Sequence, residues 1–233
     1  MDSKLDYKYF LLVGPKKISL KVLNSKNEFL YTKERSENSL TLEENLDSLE
    51  NFLKQNIFEV EKNLNNHIKD VILILDHDDF VSVDMSFKIN FKETQLSKDN
   101  MTNSLIDVKN QFKKTVFDYE IIHIMINKYI IDGLDHLSLP MHNNYQNLSL
   151  EIKFICLKND IIQKLRKILS KYQISLNKIL CYSYLSKLNS YEDENIFIIA
   201  DKVINGFNQN EIFLVNKDIK NSGFFEKFFN IFN

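Results

Sequence analysis

Apolar and polar positions alternate in two distinct rhythms along this chain, and the rhythm changes several times. Residues 9–13 and 18–23 are short, nearly all-apolar runs joined by Gly14-Pro15-Lys16-Lys17, which reads as a hairpin, and 28–32 can add a third strand. Thr41-Leu42-Glu43-Glu44 is a capping box, because the Thr41 hydroxyl and the Glu44 carboxylate can each satisfy an orphan N–H of a first helical turn. Leu42, Leu46, Leu49, Phe52, Leu53, Ile57, Val60 and Leu64 then recur every three or four residues and predict one long amphipathic helix. The aliphatic run 71–75 predicts a strand buried on both faces, interior to an α/β sheet. At Asp76-His77-Asp78-Asp79 the chain leaves that sheet.

A second set of elements follows. Residues 81–91 alternate as an edge-type strand, and Met101, Leu105, Val108, Phe112 and Val116 are spaced for a helix with Ser97 as its cap. Over 119–131, Glu120, Ile122, Ile124 and Ile126 alternate with Ile121, His123, Met125 and Asn127, and the β-branched density favours a long strand, which Asp132-Gly133 breaks. Residues 148–157 alternate likewise and should lie beside it. Ile161, Ile162, Leu165, Ile168 and Leu169 predict a further helix that closes this small α+β unit. A strand at 175–181 and a short helix at 182–188 return to the first sheet, and two more strands, 195–200 and 211–215, are expected to flank a type I′ hairpin at Asn205-Gly206 and to dock there.

Composition narrows the functional classes. With 30 basic and 32 acidic side chains the formal net charge is -2, so no global field favours nucleic acid. Cys156 and Cys181 form no Cys-x-x-Cys pair, and four Gly and two Pro leave no glycine-rich cofactor loop. No catalytic residue, cofactor site or metal site is expected. Asp76-His77-Asp78-Asp79 has the residue types of a metal site, but neighbours on an extended chain point to opposite faces, and a solvated strand end is the simpler reading. Lys164, Arg166, Lys167 and Lys171 make one helix face basic, read as solvated before it is read as a docking surface for an acidic segment. At the far end Phe224, Phe225, Phe228, Phe229, Ile231 and Phe232 share one arc of a helical wheel, opposite Glu226, Lys227 and Asn230. That is the pattern of a helix lying on a membrane surface, with packing on the protein's own sheet as the alternative.

Ile122-His123, Tyr129, Ile131-Asp132 and Pro140, followed by an aliphatic strand and a helix, resemble the corresponding run of FtsA, the bacterial actin-like protein that ties the division ring to the membrane. The resemblance implies an α/β fold with an α+β insert: half of an actin-like (ribonuclease H-like) fold carrying an FtsA-type 1C (SHS2) subdomain. It divides the chain into an actin-like 1A half-domain with a remnant hairpin (1–80 and 174–215), a 1C-like subdomain (81–173), a linker (216–221) and an amphipathic C-terminal helix (222–233). His123, Tyr129, Asp132, Gly133 and Pro140 are then structural or interface residues of the 1C motif.

The nucleotide chemistry of that family has no counterpart here. The acidic residue of the first phosphate hairpin corresponds to Leu12, Pro15 removes a backbone donor, and Asp201 with Gly206 alone stands for the second glycine-rich hairpin. The resemblance therefore implies a non-catalytic adaptor in bacterial cell division, cytoplasmic and peripheral on the inner membrane. Its partners would be division proteins and further copies of itself through the 1C-like subdomain, and the membrane surface through the last helix. Direct FtsZ binding belongs to the half with no counterpart and is not expected. The alternatives are an actin-like ATPase assembled from two chains and a PilM-like pilus-assembly scaffold.

Overall fold

A computed structural model describes residues 7–89, 98–139, 147–189 and 195–213. In chain order the elements are β1 (Lys8–Val13), β2 (Lys17–Leu23), β3 (Phe29–Ser36), α1 (Leu42–Leu64), β4 (Asp70–Leu75), β5 (Val81–Ile89), α2 (Lys98–Thr115), β6 (Tyr119–Ile131), β7 (Leu134–His136), β8 (Leu148–Lys158), α3 (Asn159–Ser170), β9 (Ser175–Cys181), α4 (Tyr182–Leu188) and α5 (Ile196–Ile204). They form a mixed α/β protein with two sheets and two compact units. The first unit takes Met1–Phe80 and Lys158–Ile204; the second takes Val81–Leu157 and the chain from Asn205 on.

The first unit is built on a five-stranded sheet of order β3-β2-β1-β4-β9. β1 pairs antiparallel with β2, and β2 with β3, as the short connections require, whereas β1–β4 and β4–β9 are parallel. Burial follows position in the sheet. The last five residues of β1 and of β4 are buried, while β3 at the edge is alternately exposed and half-buried. α1 starts at the capping box, where Glu44 N–H donates to Thr41 Oγ1 at 3.2 Å and the Glu44 carboxylate accepts from Thr41 N–H. It ends at Asn65, in the left-handed region at φ 49.

α3 belongs to this unit and does not close the second one. Its apolar face, Ile161, Ile162, Leu165, Ile168 and Leu169, is buried, and it lies against α1 and β9. Lys164 and Lys171 reach Glu43 and Glu50 of α1 at 2.7 and 2.6 Å, so part of the basic face is held by this unit's own carboxylates.

The second unit has a four-stranded sheet of order β5-β8-β6-β7. β6 and β8 are neighbours, with β5 antiparallel to β8 in continuous register from Val81↔Cys156 to Ile89↔Leu148. Met101, Leu105, Val108 and Phe112 of α2 close over Leu148, Leu150, Ile152 and Phe154 of β8, and the Phe112 and Phe154 rings stack at 4.3 Å. Asp132-Gly133 does more than end a strand: both residues have positive φ, 49 and 87, and Ile131 pairs with Leu134 across them, so they form the two-residue loop of a primed hairpin turn.

The hairpin expected around Asn205-Gly206 is not present. Residues Ile196–Ile204 are α5, entered through Asn195, whose side-chain oxygen accepts from Phe197 N–H at 3.2 Å. Gly206 has φ 81 just beyond the helix end, where a glycine ends a helix as readily as it turns a hairpin. The aliphatic run in α5 is buried at helical spacing, with Phe197 edge-on to Phe10 of β1. The segment after it joins the other sheet: Glu211 bridges Met125, Ile126 N–H donates to the Asn210 carbonyl and Ile212 N–H to the Ile124 carbonyl, both at 2.8 Å.

Replacing Thr41 by Ala removes one half of the capping box and should destabilise the protein by about 1 kcal/mol, read from the urea midpoint at unchanged m-value.

Candidate functional site

In an open parallel arrangement ligands bind beyond the carboxyl ends of the strands. In the first unit those ends are Val13, Leu75 and Cys181, adjacent in register. Past them lie the β1–β2 turn, the loop opened by Asp76, and α4, where Cys181 Sγ meets Ser183 Oγ at 3.1 Å. The first of the two phosphate hairpins that the resemblance implies would lie here.

The local chemistry is that of a closed corner. Gly14 N–H donates to the Lys17 carbonyl at 3.1 Å, and Pro15 carries no N–H, so neither can turn a donor toward an anion. The tip is strapped through its carbonyls, Lys16 O accepting from Glu37 N–H at 2.7 Å and Pro15 O from Ser39 N–H at 3.1 Å. Leu12 is 1% exposed and belongs to the core.

Asp76 N–H donates to the Val13 carbonyl at 2.8 Å, and the Asp76 side chain sits directly on Gly14. A Cβ on residue 14 would come within 2.9 Å of Asp76 Cβ and 3.2 Å of its carboxylate oxygen. The glycine is thus required by close approach of an acid, and that acid places negative charge where a phosphate would need positive. Burial raises the Asp76 pKa above its ordinary value and Asp78 raises it further, against the smaller opposing influence of His77, Lys16 and Lys17.

His77 Nδ1 and an Asp79 carboxylate oxygen approach to 2.5 Å in the same loop, without hydrogen-bond geometry. Among the described residues no group of three His, Cys, Asp or Glu side chains is placed to hold a metal ion. Asp201, aligned by the resemblance with a phosphate-hairpin carboxylate, is buried in α5 and accepts from Lys8 Nζ at 2.6 Å. The free thiols are both buried, and burial pushes Cys156 up to about 12, far from the thiolate that nucleophilic chemistry needs.

The motif residues all fall in the second unit. His123 is 1% exposed, and its Nδ1 shares a hydrogen bond of 2.7 Å with the Glu211 carboxyl group, itself 3% exposed. Tyr129 is buried, which pushes its phenol up to about 12. The Asp132 carboxylate accepts from Asn147 N–H at 2.8 Å, and Gly133 completes the turn. The four residues are therefore not brought together as one cluster: they pin the 210–212 segment, the core and the β6–β7 turn. Pro140 and the tail residues Phe224, Phe225, Phe228, Phe229, Ile231 and Phe232 lie outside the described residues.

Two features escaped sequence reasoning. Glu211, the partner of His123, is far from it along the chain, and only its place inside an apolar strand-like run marked it. A cleft of 280 Å³ opens where α2, the first half of β6 and residues 211–213 meet, with Lys109 and Lys113 on its rim. The signal for that pair was their spacing of one helical turn.

No protein-family model matches the chain, and no curated protein matches it. Among solved structures it is similar to the PilM-PilN type IV pilus biogenesis complex, at 6% identity and a TM-score of 0.48 over 78% of this chain and 49% of that one. It is also similar to a protein of Bacteroides thetaiotaomicron with actin-like ATPase fold and unknown function, at 14% identity and a TM-score of 0.31 over 78% of this chain and 55% of that one. The chain spans about half the length of the solved chains it matches.

Because the folded-state pKa of Asp76 is raised, the native state binds the proton more tightly than the unfolded chain, and stability falls as pH rises from the ordinary carboxylate range, about 4, through the raised value. Asp76→Asn should therefore melt higher than the native protein at pH 7, and the difference should shrink as the pH is lowered toward 4. Paired thermal melts at the two pH values check this.

Proposed function

We propose that this chain is a non-catalytic adaptor of the FtsA type, acting in bacterial cell division through protein contacts of its second unit. In this reading the first unit is half of an actin-like fold, the second is a 1C-like insert, and the terminal amphipathic segment rests on the membrane surface. The sheet order β3-β2-β1-β4-β9, with its antiparallel meander and two parallel strands, supports the fold half of the reading. The insertion of β5 to β8 between β4 and α3 supports the other half.

The observation that carries the non-catalytic reading is the seating of Asp76 on Gly14. An actin-type hairpin holds phosphate with backbone N–H groups and needs the space over its glycine open. Here the Gly14 N–H is bonded within the turn, the next residue is Pro15, and a partly buried carboxylate fills the approach. Substituting one of these would leave the other two in place. Among the described residues no helix is long and apolar enough to cross a membrane.

Titration of the protein with Mg-ATP in a calorimeter should give no binding heat beyond dilution. A dissociation constant in the micromolar range would overturn the adaptor reading and favour an ATPase completed by a second chain.

A further inference from the structure

The second sheet has two ends of unequal reach. β7 closes one with 3 residues, too short to template another strand, and β5 forms the other over 9. β5 keeps continuous register with β8, carries no Pro and no bulge, and no described strand lines its outer side. Long flat edges of this kind are normally blunted. The edge strand β3 of the first sheet shows how: Lys33 and Arg35 share a face, so a two-fold pair centred on Lys33, Glu34 or Arg35 sets like charges opposite each other.

β5 has the reverse arrangement. Ser82, Asp84, Ser86 and Lys88 are exposed on one face, and the strand's charges, Asp84 and Lys88, are opposite in sign and symmetric about Ser86. On the other face Val83, Met85 and Phe87 are half-buried against the core beneath α2, and Ile89 is buried. The neighbouring strands bring Lys153, Glu151 and Lys128 to the exposed face. Lys153 lies 3.5 Å from Asp84, to which Asn127 also donates at 3.2 Å, while Glu151 is 3.8 Å from Lys128. These contacts leave Lys88 without an ion pair among the described residues.

We propose that β5 is a dimer edge, on which two copies of the chain pair antiparallel about a two-fold axis at Ser86 and join their second sheets into one. That axis sets Asp84 against Lys88 of the second copy, and by symmetry Lys88 against its Asp84; Met85 meets Phe87 and Val83 meets Ile89 on the apolar face. An axis at Met85 or Phe87 matches neither charge with the other, and one at Asp84 or Lys88 sets a charge against its own copy. The Asp84 carboxylate has two oxygens and accepts a second ammonium beside Lys153. A second copy thus becomes one partner of the second unit, and for its role in the cell this pairing rests on the reading of that unit as the contact surface. A strand-edge contact buries less than the roughly 1,200 Å² of stable complexes, so the dimer is weak and concentration-dependent.

Sedimentation equilibrium of the full chain, without lipid, should show reversible dimerisation. Asp84→Lys or Lys88→Asp alone turns both cross-pairs from attractive to repulsive and should weaken the dimer roughly tenfold or more. An equimolar mixture of the two variants should recover it, because a copy with two lysines then faces one with two aspartates. Recovery would also show that neither substitution unfolds the chain. Ser86→Cys should form a disulfide-linked dimer under mild oxidation, since opposed Cα atoms lie roughly 4.5–5.5 Å apart, within the span of a disulfide, whereas Ser82→Cys, well off the axis, should not. The native thiols, Cys156 and Cys181, are buried and do not compete. A native chain that remains monomeric at about 0.1 mM would overturn the pairing, and so would a dimer that both charge variants leave intact. Mixed variants that stay apart, with no Ser86→Cys crosslink, would overturn it too. None of these results concerns nucleotide binding, so they are distinct from the failure of the adaptor reading, which binding of Mg-ATP would mark.

Discussion

The pairing of Val81 with Cys156 is the contact on which the architecture turns. β4 and β9 must lie side by side in the first sheet, yet the whole of the second sheet is threaded between them in sequence. A long flexible insertion raises the closure cost only slowly, by about 0.6 kcal/mol for each doubling of length, but an insertion whose ends stood far apart would pull the parallel pair open. Here the inserted segment enters on β5 and leaves on β8, and these are antiparallel neighbours with the entry and exit residues in register. The insert closes its own loop. The first sheet can therefore keep the register Leu75↔Cys181, and with it the corner where Asp76 meets Gly14.

Elements whose pattern is local were legible in the sequence. The capping box at Thr41, the doubly buried β4 and the long β6 beside β8 all follow from side-chain spacing that only one local conformation satisfies. What was not legible depended on distant partners. Asn205-Gly206 and Asp132-Gly133 carry the same turn chemistry, since each pair tolerates positive φ, but only the second is flanked by strands that pair across it. Gly206 instead follows a helix, because residues 196–204 find Phe10 and the sheet beneath them and bury an aliphatic run at helical spacing. Local β-propensity lost to tertiary burial there. α3 is similar: its apolar stripe was evident, but which surface would bury it was decided by α1 and β9, the first of them more than a hundred residues earlier.

The two candidate sites differ in the same sense. That Leu12 and Pro15 are poor phosphate-binding residues could be read directly from the sequence, whereas the acid seated on Gly14 required the β1–β4 pairing to bring Asp76 to Val13. His123 stood out as a histidine on an apolar strand, and its role became definite only when residues 210–212 crossed to β6 with Glu211. Both outcomes turn polar residues inward. The described parts of the first unit's strand-end corner are occupied by the protein's own groups, which is why the proposed reading assigns contact with other molecules to the second unit.

Amine-reactive crosslinking of the protein in its native cells, mapped by mass spectrometry, tests that assignment most directly. Lys16 and Lys17 at the first unit's turn and Lys88, Lys113 and Lys114 in the second unit are all exposed. The account predicts that links to partner proteins concentrate on Lys88, Lys113 and Lys114. Partner links concentrated on Lys16 and Lys17, with the second unit's lysines unlinked, would contradict it.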